Sequence, residues 1–409
     1  MKLWIWNGAA IVTIAALSLI LPKVLGKEER SRIAPYRFPL TAKADSDIDL
    51  AFLQERVARN PEGLDLAALA GACLKKARQT GQRHWIDDAE TAARRSLETL
   101  PVSNPGATLT LAHAAQMKHD FAGSIELCDR VLRERPRDSR ALSLKATALL
   151  GLGRLDPAIL SADALVDRAP ISENLALRAV ILAARGEERE ALHDFRKAWS
   201  LEEPGDPEGS AWLRAMWARL ALQRGRTDEA EDLLREALRI RPFLPLALGL
   251  LGDLELDRGH PEAADRAYAD AFQSSGDPLF LVRRARVKTG AAAEELRAAA
   301  EKALREAPGH RLQLAQVLLD RGTPEAAREA LPIAESEASL RRNVETLDTL
   351  AHAYAAAGRL SEARTVLREA LRSGALDARL HEFAADLESR LGCASRAEMH
   401  RAAVRELRP

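Results

Sequence analysis

The chain is poor in aromatic residues, at 4% of 409 positions, and has only three cysteines. Almost no stretch alternates apolar and polar residues with the period of two that a half-buried strand requires. With alanine, leucine and arginine dominating, the chain reads as all-α. No phosphate-binding glycine loop, HExxH, GxSxG or dinucleotide fingerprint occurs. The nine histidines (His84, His113, His119, His193, His260, His310, His352, His381 and His400) form no ligand pair at i, i+4. Asp87-Asp88 and Glu202-Glu203 read as solvated acids. Catalysis, a metal site and a bound cofactor are therefore not expected. Cys73, Cys128 and Cys393 are too scattered for a zinc or CxxC motif, and the first two fall on apolar helical stripes. An excess of charge is also missing, since 60 Lys and Arg balance 60 Asp and Glu. That argues against a nucleic-acid partner, which calls for a basic domain. A hydrophobic content of 47% argues against a disordered chain.

What is present is a repeat. Glycines recur at Gly153, Gly186, Gly225, Gly259, Gly290, Gly322, Gly358 and Gly392, at spacings of 31 to 39 residues. The segment Val344 to Ala375 is the cleanest copy. Leu347, Leu350, Ala351 and Tyr354 fall on one helical stripe, Gly358 ends that helix, and Ala363, Leu367, Ala370 and Leu371 line the next. Neither helix can bury its stripe alone, so neighbouring units must stack into a solenoid.

This pattern resembles the tetratricopeptide repeat family over roughly residues 63 to 408, in ten helix pairs. The family's small residue in the first helix falls on Ala70, Ala112, Ala146, Ala179, Ala218, Gly252, Ala315, Ala351 and Ala385. Its counterpart in the second helix falls on Ala89, Ser124, Ala158, Ala191, Ala230, Ala264, Ala327, Ala363 and Ala397. Unit seven departs, with Arg283 and Leu296 at these positions. Either a shortened helix absorbs a register change that brings Ala285 to the first, or the departure serves binding. Pro332 lies inside the second helix of unit eight and should kink or end it. The resemblance implies a right-handed superhelical solenoid that binds a protein or peptide along the concave wall formed by the first helices.

Four regions follow: an N-terminal membrane segment at 1–26, a linker at 27–46, a lead-in helix at 47–62 and the solenoid at 63–409. Leu3 to Leu21 is uncharged over nineteen residues, about 28 Å of helix and close to a bilayer core. Trp4 and Trp6 suit an interfacial belt. A retained anchor is expected. A cleaved signal is the alternative, although its best site, Val24-Leu25-Gly26, is weak. The start of the chain resembles an export signal and puts the solenoid outside the cytoplasm, whereas the lysine and arginine count favours the cytoplasmic side. Pro35 and Pro39 break the linker. The stretch Glu202 to Ser210 is the longest gap between units and reads as a slight hinge.

On the expected wall, Trp212 with Arg219 and Arg284 forms the best candidate hot spot, since tryptophan and arginine dominate interface energies. Trp212 could equally pack between units. Phe280, Lys288, His113 and Arg140 complete the candidate protein-binding set. Arg283, Arg284, Arg286 and Lys288 read either as a solvated face or as a dock for an acidic peptide. The lysine, asparagine and arginine set with which some family members grip a C-terminal carboxylate does not line up here. The expected function is a non-enzymatic, membrane-tethered scaffold. The alternatives are an accessory subunit that recruits or modulates a membrane enzyme, a regulatory domain for peptidoglycan or lipid transferases, and self-association through the solenoid edge.

Overall fold

Helices begin where the sequence supplies caps. The side chains of Asn104, Asp120, Asp138, Asp206 and Asn343 each accept a hydrogen bond from a first-turn N–H, satisfying a donor with no partner inside the helix. Pro105, Pro207, Pro245, Pro261 and Pro324 stand in first turns, where the missing N–H costs nothing. The eight recurring glycines named above all have φ between 61° and 80°. Gly290 opens a helix, and the other seven follow the end of a first helix.

The computed structural model describes residues 33–40, 46–80, 82, 84–306, 308–372 and 377–407. The expected membrane segment, residues 1–26, lies outside them, as do 27–32 and 41–45 of the linker. Among the described residues no helix is long and apolar enough to cross a membrane. They are 81% helical and contain no strand.

A first helix, α1 (Ser46–Arg59), precedes ten pairs. These are α2 (Gly63–Thr80) with α3 (His84–Thr99), α4 (Pro105–Met117) with α5 (Phe121–Glu134), and α6 (Ser139–Gly151) with α7 (Leu155–Arg168). Next come α8 (Ser172–Ala184) with α9 (Glu188–Ser200), α10 (Pro207–Gln223) with α11 (Thr227–Ile240), and α12 (Pro245–Asp257) with α13 (Pro261–Ser275). The last four are α14 (Leu279–Val287) with α15 (Gly290–Arg305), α16 (Arg311–Leu319) with α17 (Pro324–Leu340), α18 (Val344–Ala356) with α19 (Leu360–Arg372), and α20 (Ala378–Arg390) with α21 (Ala394–Leu407).

The small positions are where paired helices touch. Ala112, Ala146, Ala179, Ala218, Ala315 and Ala351 are all fully buried, as are Ala158, Ala191, Ala230, Ala264 and Ala363 opposite. At Gly252 even a methyl is too large, because an added Cβ would lie 2.3 Å from the Tyr268 ring. Unit seven keeps the contact by shortening: α14 has nine residues and Ala285 is buried in place of Arg283. Pro332 neither ends nor interrupts α17, contrary to the sequence expectation. Ala327, Ala330, Ala334 and Ala338 bury the same helix on both sides of the proline, and that packing outweighs the lost backbone bond.

The solenoid turns back on itself. The Arg342 N–H donates to the Leu152 carbonyl at 3.1 Å, and the Asn343 amide donates to the Gly151 carbonyl at 2.7 Å. His119 meets His310 edge-on, with ring centres 5.4 Å apart. His119 has a φ of 62° at the turn position that glycine fills in later units. An L-residue there costs roughly 1–2 kcal/mol, and its side chain makes this cross-superhelix contact. Units two and three are thereby fastened to units eight and nine.

Gly153 tests the closure. Its φ is 75°, and an added Cβ would stand 2.7 Å from the Arg342 carbonyl oxygen. Gly259 has nearly the same φ, 78°, with open space around it. Gly153→Ala and Gly259→Ala should both lower the melting temperature, each by a strain of roughly 1–2 kcal/mol. Only Gly153→Ala should enlarge the radius of gyration in small-angle scattering. Equal radii for the two variants would refute the closure.

Candidate functional site

Closure converts the concave wall into a chamber of about 420 Å³. Arg219 and Gln223 enter it from α10, Asp253 and Asp257 from α12, Arg283 from α14, Gln313 from α16, and Glu345 from α18. Asp277, Asp377 and Arg379 come from helix starts, and His119 and His310 from the closure. Arg283 is held by Asp253 at 2.9 Å, with its guanidinium 5.8 Å from the Tyr268 ring centre. Arg219 is different. Among the described residues no hydrogen-bond acceptor or carboxylate pairs with its guanidinium, although Glu345 and Asp253 act on it at longer range. Its surface is open to the chamber, but protein walls enclose the charge. That enclosure, and then repulsion by Arg283, pulls its pKa below the ordinary value, while it remains a cation at neutral pH. The Arg379 guanidinium also pairs with no carboxylate among the described residues. Enclosure pulls its pKa down, and Asp253, Asp377 and Asp257 together raise it above the usual arginine value. The Gln313 side chain is 9% exposed, and its buried carbonyl oxygen has no hydrogen-bond partner. A polar group in that state costs about 1–3 kcal/mol until a donor reaches it.

The wall continues beyond the chamber with further perturbed groups. Burial, then the nearby Asp377 and Glu345, pushes the Asp348 carboxyl up to about 7. His352 lies flat on Phe383 at 3.6 Å, and burial with Arg286 brings it down to about 4. Burial, Arg78 and Arg140 bring His113 to about 4 as well, so it is neutral at physiological pH. The described residues hold no group of three or more His, Cys, Asp or Glu placed for a metal. Cys73 and Cys128 are buried, and burial lifts both thiols to about 11.

The candidate residues from sequence separate into three groups. Arg219 opens on the chamber, while His113 and exposed Arg140 stand together on units two and three. Trp212 shares a helical face with Arg219 but is half-buried against the core of units four and five. It edges a separate cavity of about 310 Å³ beside the 201–206 loop. Phe280, expected on the wall, belongs instead to the core: it is 7% exposed and packs under Gly249, whose missing side chain makes room for its ring. The basic cluster is not a free cationic surface. Arg284 and Lys288 both bind Asp265 at 2.8 Å, Arg283 binds Asp253, and Arg286 binds Asp320 at 2.7 Å. Those acids lie 19 to 34 residues from their arginine partners, so no local reading pairs them. Arg379, Asp377, Asp277 and Gln313 were not singled out from sequence, because helix starts join the wall only once the superhelix closes. One legible signal was His119, standing where later units have glycine.

Residues 109–172 and 215–278 match one tetratricopeptide repeat family description, and residues 344–374 match a second. These segments are tetratricopeptide repeats. No curated protein matches the chain. Among solved structures, human IFIT1, determined as a dimer with m7Gppp-AAAA, is similar in fold. It superposes with a TM-score of 0.50 at 13% identity, over 81% of this chain and 96% of that one. A thermophilic repeat protein of Thermus thermophilus, TTC0263, is 25% identical over 45% of this chain and 98% of its own, with a TM-score of 0.40. The type IV pilus biogenesis factor PilW is 19% identical over 52% and 99%, also with a TM-score of 0.40. The repeats account for the architecture and for a scaffold type of surface.

Asp348 gives a pH-dependent test of the wall. Its folded pKa is raised above the unfolded value of about 3.9. Stability from its protonated form is therefore present at low pH and lost as pH rises toward 7. Asp348→Asn should raise the melting temperature only slightly at pH 5 and clearly more at pH 8. The same increment at both would show that Asp348 is not perturbed.

Proposed function

We propose that the protein is a non-enzymatic scaffold that holds an extended segment of a partner protein in the chamber of its repeat solenoid. The observation that carries this reading is the pair of chamber arginines, Arg219 and Arg379, whose guanidiniums have no carboxylate partner among the described residues. A partner carboxylate relieves the enclosed cations. A lysine or arginine of the partner suits Asp377. The segment is thus a peptide with charges of both signs. A polyanion fits less well, because Asp253, Asp257, Asp277, Glu345 and Asp377 outnumber Arg219, Arg283 and Arg379 in the chamber. IFIT1 was solved with capped RNA, but its likeness extends to the fold alone.

In this reading residues 3–21 retain the scaffold at a membrane, with the solenoid on the extracytoplasmic side. A mature N-terminus at Lys27 would make the segment a cleaved signal instead. A reporter fused after Pro409 that works only in the cytoplasm would reverse the sidedness. An accessory subunit that modulates a membrane enzyme would use the same wall.

The chamber reading is tested by a photo-crosslinking side chain placed at Arg219, at Arg379 and, as control, at Arg189, whose side chain is 94% exposed on a second helix. Positions 219 and 379 should capture the same partner peptide, and position 189 should not. Arg219→Glu with Arg379→Glu should cut capture roughly tenfold or more, as loss of an interface hot spot does, with an unchanged circular dichroism spectrum. Equal capture at all three positions would remove the chamber as the binding site.

A further inference from the structure

The segment 33–40, read from sequence as linker, is not a passive connection. Residues 33 to 38 lie across the second helices of units four and five, bonded to residues 162 to 200 positions away. The centre of this contact is Arg214, a fully buried arginine in α10. Glu202 holds it through both carboxylate oxygens, at 2.5 and 3.0 Å, and it donates to the Ser210 carbonyl at 2.8 Å. Its Nε–H is left over, and it donates to the Ala34 carbonyl at 2.7 Å. Trp199 donates its indole N–H to the Pro35 carbonyl at 3.1 Å, and the Tyr36 N–H donates to buried Glu236 at 2.6 Å. Three consecutive residues are therefore held by their main chain, as peptide-recognition sites hold their ligands. Ala34 has a φ of 48°, a backbone state costly for alanine, and it is kept there by burial and by Arg214. Tyr36 is 7% exposed, between Ala211, Ile240 and Phe38.

The sequence reading of Glu202 as a solvated acid is corrected by this arrangement. Glu202 is buried, and the loop is fixed by the ion pair. Burying an arginine and a glutamate costs several kcal/mol unless their remaining donors and acceptors are filled. Without the segment, Arg214 Nε and Trp199 Nε1 lose their partners, and Glu236 keeps only its pairing with Arg239.

We propose that the cleft formed by α9, α10 and α11 is a peptide-recognition site for an Ala-Pro-Tyr-Arg-Phe type of segment bent at its alanine, filled by this chain's own residues 33–38. Docking it there fixes the place where residues 1–32 join the solenoid, on the flank of units four and five and not at the α1 end. The contacts are with second helices, the Arg214 face of α10 and the 202–210 loop, so the chamber stays open. The proposal does not rest on the chamber reading.

The experiment uses the full chain in detergent, with a protease recognition sequence inserted between Leu40 and Ser46. After cleavage the N-terminal fragment should stay with the solenoid through size exclusion. A synthetic peptide of residues 31–40, added in excess, should displace it. Tyr36→Ala lies outside the repeats and leaves their packing intact. It should speed fragment release at least about tenfold, the equivalent of one buried contact, and Glu236→Ala should do the same. Release from the unsubstituted protein as fast as from Tyr36→Ala would overturn the site. So would retention unaffected by Tyr36→Ala, because another contact would then be holding the fragment. Light scattering of the uncleaved chain should give a monomer. A dimer abolished by Tyr36→Ala would overturn occupancy within one chain and place the segment on a second copy.

Discussion

Close approach between paired helices is the constraint on which the rest of this structure depends. Where Ala112 faces Ser124, or Ala351 faces Ala363, the buried side chains are only a methyl or a hydroxymethyl, and the helices pack at nearly backbone distance. Each pair still has an apolar outer face that only the next pair can cover. Repetition therefore stabilises the fold, and a small angular offset per unit bends it. The bend brings units two and three against units eight and nine, where bonds such as Asn343 to Gly151 form across 192 residues.

The wall penalises charge. Protein surrounds Asp348 and His352 there, so the acid moves up to about 7 and the histidine down to about 4. Most charges answer this by pairing across helices, as Arg283 does with Asp253 and Arg178 with Asp194. The few that do not pair mark where a ligand lowers the energy. The same reasoning separates Arg219 from Arg284. Both are arginines on first helices, but one opens on the chamber and the other binds an aspartate 2.8 Å away.

The 33–38 segment and the Arg214–Glu202 pair show a second use of buried charge. A buried ion pair contributes little stability over apolar packing, but removing one partner typically costs about 3–5 kcal/mol. Such a pair enforces geometry. Here it fixes the 202–210 loop and presents a single N–H to one carbonyl of an incoming chain, which gives a specific seat on an otherwise regular surface.

The sequence by itself determined the helices, their pairing and their ends. The information is local: caps at Asp120 and Asn343, left-handed glycines, and small residues at helical spacing act within a few positions of one another. The same periodicity marks the apolar stripe of each first helix, but not which of the remaining positions open on the wall, as Phe280 shows. Tertiary structure alone decided which wall residues are free. Phe280 entered the core because Gly249 leaves space for its ring, and the basic run at 283–288 was neutralised by acids from other helices. It alone also brought Arg379 and Asp277 to the chamber and seated Tyr36 on Glu236, 200 residues away. Those outcomes depend on the accumulated angle between units, a sum over nine small rotations that no single repeat records.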